Sequence, residues 1–225
     1  MIGLLAALAL GQAPTILLDD GTLVIRVDTQ EVARERFRLF SRSGRDGSSG
    51  WMLAASARWV VDGRPMVLAP VLEVTPDSEP AALDYGVSAG GASLRITGQP
   101  SPGRYTLRYA APGLERAREL AVGPPAVVLD DSVFAPLLFV AWRAAPASAA
   151  RAVTGIFPRA PRTAALTVTD LGFAATTLNR EPATLRHVIV SGGADGPIDV
   201  WLSAAGYIMK VEIPKRSLSA ERLPV

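Results

Sequence analysis

One apolar run, Leu129 to Arg143, stands among segments that otherwise alternate like β-strands. Within this run, Phe134, Leu137 and Leu138 recur at the spacing of one face of a helix. A sheet with one apolar face must cover that face, and this run is the only helix candidate that could do so. We therefore predict a single helix near residues 131–143, packed against the sheet.

The ends of this run fit a helix better than a strand. Asp131 or Ser132 can act as the N-cap, because their side-chain oxygens accept hydrogen bonds from the first free backbone N–H groups. Pro136 is tolerated within the first turn of a helix. The competing interpretation is a buried strand from Val133 to Trp142, which Pro136 disfavours because proline cannot donate to a sheet.

The other segments predict a β architecture. Trp51–Val61 and Met66–Thr75 flank an Asp-Gly pair, a strong hairpin signal, and Ile198–Ile213 reads as a closing hairpin that turns at residues 204–206. About a dozen strands follow one another with turn signals between them, and so many strands curl or close rather than stay flat. The predicted fold class is mainly β: a curled antiparallel sheet, half-barrel or open barrel, wrapped around the single helix near residues 131–143.

Three shorter stretches carry local predictions. Residues 114–122 have helix propensity but are bracketed by glycines that suit a hairpin strand, and both alternatives stay open. Asp19-Asp20-Gly21 predicts a turn. Residues 215–225 form a polar tail that we expect to fray.

The N-terminal residues have features of a secretory leader. Met1 to Ala13 are apolar over the length of a signal-peptide core, with small residues at the end. No Lys or Arg precedes the apolar run and Pro14 follows it, so an ordinary buried N-terminal segment is the alternative. We predict a signal peptide at residues 1–13, a single β domain at residues 14–214, and a periplasmic or extracellular location.

The residue types present exclude several kinds of site. Cys is absent and His187 is the only His, so a single chain cannot form a thiolate zinc site or a Cys–His pair. The acid doublets Asp19-Asp20 and Asp130-Asp131 fit a turn and an N-cap better than a catalytic pair. We expect no enzyme activity, no catalytic residues, no metal and no cofactor. A hydrolase would need carboxylates from different strands to converge in a cleft.

The charge distribution bears on partners. Lys and Arg total 23 against 21 Asp and Glu. No run of about five or more basic residues occurs, so a nucleic-acid partner is not expected. The many Arg residues fit solvated strand faces. Contact with anionic lipid or polysaccharide is the alternative, which leaves a peripheral membrane contact open.

Aromatic residues fall mostly on predicted strands or on the helix. They either fill the core or line an apolar pocket between sheet and helix, as a small-molecule site requires. The candidate ligand-binding residues are Trp59, Tyr105, Tyr109, Phe139 and Trp142.

The closing hairpin carries a resemblance to a known group of proteins. Its segment Val200-Trp-Leu-Ser-Ala-Ala-Gly-Tyr-Ile-Met-Lys-Val-Glu-Ile-Pro214 is similar to the W-x-D-x-x-G-x-(apolar)2-K-V ending of a group of uncharacterised exported bacterial curled-sheet proteins. Ser203 stands where that group commonly has Asp. In architecture, the group is similar to the LolA/LolB-like half-barrels, which carry lipoproteins or lipids across the periplasm. The resemblance implies a concave apolar groove with the helix as plug or lid.

Together these features predict an exported, non-enzymatic protein that binds or carries a lipid or another apolar ligand in a β half-barrel. The alternative is a cell-envelope scaffold or assembly factor with a packed sheet, whose exposed edge strand recruits a protein partner. A hollow space between sheet and helix would favour the carrier, and a packed space would favour the scaffold.

Overall fold

The computed structural model describes residues 15–43, 49–61, 63–144 and 149–224. The predicted signal peptide at residues 1–13 lies outside this part of the chain. In the described residues no helix has the length and apolar character needed to cross a membrane. The elements are, in chain order, β1 (Thr15–Val27), β2 (Gln30–Ser43), β3 (Ser49–Val61), β4 (Arg64–Val74), β5 (Pro80–Ala89), β6 (Ala92–Ser101), β7 (Arg104–Ala111), β8 (Leu114–Ala121), β9 (Ala126–Val128), α1 (Leu137–Trp142), β10 (Arg151–Phe157), β11 (Arg162–Leu178), β12 (Glu181–Ser191), β13 (Ile198–Leu202), β14 (Ile208–Ile213), a 3₁₀ turn (Pro214–Arg216) and β15 (Leu218–Arg222).

All of these strands belong to one sheet, which the chain fills in two passes. From β1 to β8 each strand pairs with the next one along the chain. The chain then crosses to the opposite edge at β9, and β10 to β15 return one by one until β15 lies beside β1. Among the described strands every neighbouring pair is antiparallel except β9 and β10. The predicted antiparallel sheet is confirmed, and it is open, with β8 and β9 as its two edges.

The sheet curls until its two ends approach each other. β7 is second from one edge and β10 second from the other, yet the Tyr109 hydroxyl in β7 donates to the Pro158 carbonyl just after β10 at 2.7 Å. Alternate side chains of the strands face the enclosed side, where residues such as Leu39, Leu68 and Val211 are fully buried. With α1 they form one hydrophobic core.

The helix lies inside the curled sheet, as predicted, but it is shorter than residues 131–143. α1 covers Leu137–Trp142, and residues 137–141 are all buried. Pro136 occupies the N-cap position, and a proline disfavours helical geometry in the residue before it. This favours a regular helix that begins no earlier than Pro136, and α1 begins at Leu137.

Neither Asp131 nor Ser132 caps this helix, which corrects the capping prediction. The backbone ahead of α1 forms tight turns instead, in which the Leu137 N–H donates to the Phe134 carbonyl at 3.0 Å. The backbone N–H groups of Phe134 and Ala135 are bound from another strand, as described below.

Residues 218–222 of the predicted frayed tail form a paired strand, which corrects the prediction for that part of residues 215–225. β15 pairs with β1 on one side and with β14 on the other. Its Leu218 is buried, and its Arg222 binds the carboxylate of Asp19 in β1 through two bonds of 2.5 and 2.9 Å. The segment looks polar because buried and polar residues alternate, and the strands that cover it come from distant parts of the chain.

Two other local predictions are also settled. Asp19-Asp20-Gly21 is not a turn, because these residues continue β1 and Asp19 is held by its ion pair with Arg222. In the stretch 114–122, residues 114–121 are a strand rather than a helix, since β8 is paired with β7 along its whole length.

A substitution in β15 tests its place in the core. Leu218→Ala should lower the free energy of unfolding by about 3 kcal/mol, because it removes a fully buried aliphatic side chain. Ser219→Ala in the same strand should change it by less than about 0.5 kcal/mol. Chemical denaturation measures both, and equal small effects would mean that the C-terminal strand is frayed.

Candidate functional site

A carboxylate lies within the apolar core. Along β2, Ala33, Glu35, Phe37 and Leu39 face inward and are buried. The Glu35 carboxylate accepts the backbone N–H of Phe134 at 2.7 Å and that of Ala135 at 2.8 Å. Burial raises the pKa of Glu35 to about 7; the two hydrogen bonds oppose this rise and the negative charge of Asp130 adds to it. Glu35 thus joins the sheet to the turns that lead into α1.

A second polar cluster fixes the chain just before those turns. Asp130 accepts the Tyr85 hydroxyl at 2.9 Å and two bonds from the Arg159 guanidinium, at 2.6 and 2.7 Å. Arg159 also donates to the Ser132 hydroxyl at 3.1 Å, and the Trp59 indole donates to the Ser132 carbonyl at 2.9 Å. Burial raises the pKa of Tyr85, so its hydroxyl remains a donor to Asp130.

The carboxylates of Glu35 and Asp130 both take part in hydrogen bonds that stabilise the fold. Glu35 is fully buried, and Asp130 is saturated by Tyr85 and Arg159. Both carboxylates hold the chain segment that precedes α1. No group of three or more His, Asp or Glu side chains in the described residues is arranged to hold a metal ion.

Sequence reasoning missed Glu35, Tyr85 and Arg159. For Glu35 a signal was available, because the alternation of β2 places an acid between Ala33 and Phe37 on the apolar face. No local pattern indicates Arg159, because its partner Asp130 lies in another element.

Three of the predicted aromatic residues lie in or against the plug, which is formed by α1 and the turns before it. Trp59 packs edge-on against Phe134, with ring centroids 6.5 Å apart. Phe139 and Trp142 pack in the same way at 5.6 Å, and the Trp142 indole donates to the Gly206 carbonyl at 2.8 Å.

The two predicted tyrosines are fully packed on β7. Tyr109 is buried and uses its hydroxyl on Pro158. Tyr105 is buried over Gly98, where an added Cβ would come within 2.6 Å of the tyrosine ring. A ligand-binding role for all five aromatic residues stays a prediction.

The space between the plug and the sheet is largely filled. The cavity that Phe134, Leu137 and strands β10 to β14 enclose measures about 30 Å³. That is room for about one water molecule, whereas ligand pockets measure about 300–1,000 Å³. A larger depression of about 760 Å³, lined in part by Trp51 and Trp142, is open to solvent.

The single His lies on the outer face of the sheet. His187 in β12 stacks on Trp201 with ring centroids 3.9 Å apart, and its Nε2 lies 2.7 Å from an Asp199 oxygen. Both partners are on the neighbouring strand β13, so His187 is a satisfied strand residue.

The two sheet edges differ in how they are covered. All three residues of β9 are buried, and the Ala126 N–H donates to the Glu79 carboxylate at 3.1 Å. β8 is exposed on both faces, from Leu114 to Glu119 without interruption. In the part of the chain that the structure describes, β8 is hydrogen-bonded to β7 alone.

The ladder shows which backbone groups of β8 are free. The Val122 N–H donates to the Gly103 carbonyl at 3.0 Å, and bonded pairs recur every second residue in an antiparallel ladder. The N–H and C=O groups of Glu115, Ala117 and Glu119 therefore point away from β7. Among the described residues they form an unpaired strand edge, with β11 from the other end of the sheet lying nearby. An unpaired edge is a template for a further strand.

Comparisons with known proteins support the fold. No protein-family model matches the chain, and no curated protein matches it. A crystal structure of a beta-barrel-like protein of the domain of unknown function DUF1849, from Brucella abortus, is 14% identical with a TM-score of 0.53, covering 95% of this chain and 96% of that one. A DUF1089 family protein from Pseudomonas aeruginosa is 12% identical with a TM-score of 0.46, covering 93% and 95%. The chain is thus similar in fold to the beta-barrel-like DUF1849 protein.

The buried acid leads to a prediction about pH. The pKa of Glu35 is raised from 4.5 to about 7 in the folded protein, so the folded state holds this proton more tightly than the unfolded state. Its contribution to stability is therefore present below about pH 4.5 and is lost as the pH rises to about 7, a change of about 3 kcal/mol.

Glu35→Gln removes this titration. The free energy of unfolding of the wild type should fall relative to that of the variant by about 3 kcal/mol between about pH 5 and about pH 8. Urea denaturation of both proteins at the two pH values measures the difference. A difference that does not change with pH would show that Glu35 does not titrate in this range.

Proposed function

We propose that this chain is a non-enzymatic protein-binding module of the cell envelope, which recruits an extended protein segment as an added strand at β8. The observation that carries the proposal is the free edge of β8, beside a core that is filled. Main-chain hydrogen bonds to such an edge provide affinity, and the flanking side chains provide specificity. The envelope location rests on the signal peptide predicted at residues 1–13.

The absence of enzyme activity is part of the same proposal. Glu35 and Asp130 hold the plug in place. Glu35 accepts hydrogen bonds from two backbone N–H groups, and Asp130 forms an ion pair with Arg159. Both contacts fix the position of the backbone before α1, which is a structural role.

The lipid carrier remains the competing proposal, and it rests on the resemblance to LolA/LolB-like half-barrels. Such a carrier gains about 0.8 kcal/mol for each buried CH₂ group, which requires space for an acyl chain. The cavity of about 30 Å³ beside Leu137 does not offer that space. The packed interior therefore favours the scaffold.

A proline in β8 tests the proposal. The Ala117 N–H points to the free edge, so Ala117→Pro should leave the pairing with β7 intact while blocking an incoming strand. Ala117→Ser keeps the N–H and is the matched control. A photo-crosslinking residue placed at Ala121, which is also exposed, reports on contact in the host cell.

The expected result is a crosslinked protein adduct of defined mass that Ala117→Ser retains. Ala117→Pro should reduce its yield at least about tenfold, with an unchanged unfolding transition. An adduct that survives the proline would rule out strand addition at β8. Native mass spectrometry of the protein purified from its host should find no bound lipid, and a stoichiometric lipid would favour the carrier instead.

A further inference from the structure

The charges of β8 are separated by face. The side chains of Arg116 and Arg118 share the inner face of the strand with buried Tyr109 and Leu107 of β7, because opposite residues of a ladder point to the same side. The outer face carries Glu115 and Glu119. A strand that pairs with β8 would meet positive charge on one face and negative charge on the other.

Several of these charges lack ionic partners in the described chain. Glu119 is paired with Arg104 of β7 at 2.6 Å, and Arg116 lies 4.9 Å from the centre of the Tyr109 ring. Glu115 and Arg118 form no ion pair among the described residues. Arg104 lies diagonally across the ladder from Glu119, so β7 already shows that a base on a neighbouring strand can satisfy an acid of the outer face.

A second copy of this chain does not fit the edge as an antiparallel strand. The sequence from Leu114 to Leu120, Leu-Glu-Arg-Ala-Arg-Glu-Leu, reads the same in both directions around Ala117. Antiparallel pairing of two copies about Ala117 would place Glu115 opposite Glu119 and Arg116 opposite Arg118. Like charges directly opposite each other destabilise a sheet, so β8 discourages pairing with itself.

Shifting that register does not remove the conflict. In an antiparallel pair of two copies, opposite residues share a face, and each face of β8 carries charges of one sign only. No antiparallel register of two copies can therefore bring an Arg opposite a Glu.

Building on the function proposed above, we propose that the occupant of the β8 edge is an extended segment with the inverse pattern. It has acidic residues two positions apart facing Arg116 and Arg118, and basic residues facing Glu115 and Glu119. The smallest such pattern is base-acid-x-acid-base. Because β8 reads the same both ways, this complementarity holds for either direction of the incoming strand.

Two peptides of identical composition test this pattern. The complementary peptide contains Leu-Lys-Glu-Ala-Glu-Lys-Leu, and its isomer contains Leu-Glu-Lys-Ala-Lys-Glu-Leu, which copies the charges of β8. Each is flanked by Thr residues and carries a fluorophore, and its binding to the full chain is measured by fluorescence anisotropy at low salt. We expect the complementary peptide to bind at least about tenfold more tightly, because four cross-strand pairs change sign between the two peptides.

The charge-reversed protein Glu115→Lys, Arg116→Glu, Arg118→Glu, Glu119→Lys is the matched control. It should prefer the isomer by a similar factor, and Ala117→Pro should weaken the preferred peptide. Equal binding of the two peptides, binding of neither, or a preference that the charge reversal leaves unchanged would each overturn the inferred charge pattern.

The experiments distinguish a failure of strand addition at β8 from a failure of the charge pattern. If the peptides show no preference while Ala117→Pro still removes the crosslinked adduct, strand addition at β8 stands and the charge pattern is wrong. If the adduct survives Ala117→Pro, strand addition itself is wrong.

Discussion

The carboxylate of Glu35 connects the curled sheet to the plug, because it accepts hydrogen bonds from the backbone just before α1. A buried carboxylate is costly unless hydrogen bonds compensate it, and so are buried backbone N–H groups without acceptors. Glu35 and the N–H groups of Phe134 and Ala135 satisfy each other within an apolar core. This contact places the turns before α1, and the buried helix follows from that point.

Because the space between the plug and the sheet is small, the functional proposal concerns the outside of the sheet. With the helix packed in the sheet and the Asp130 cluster holding the preceding residues, the cavity that the described residues enclose beside the plug measures about 30 Å³. The functional proposal therefore rests on the exposed backbone of β8 and the charges around it. This is why the packed core and the free edge support the same functional proposal.

The path of the chain explains why the free edge is β8. The terminal strands β1 and β15 meet in the middle of the sheet, so neither end of the described chain forms an edge. Both edges arise where the chain crosses from β8 to β9. Glu79 and neighbouring residues cover β9, whereas β8 is exposed and carries charge, which protects an exposed edge from unselective pairing.

Local patterns in the sequence were enough to predict the strands, the closing hairpin at Ile198–Ile213 and one helix inside a curled sheet, because alternation and turn residues act over a few neighbours. The start of α1, the burial of β15 and the filled interior depended on contacts between distant residues. Glu35 lies about a hundred positions from the N–H groups it binds, and Arg222 of β15 pairs with Asp19. Only the tertiary structure brings such partners together, and only the order of strands decides which backbone edge is left free.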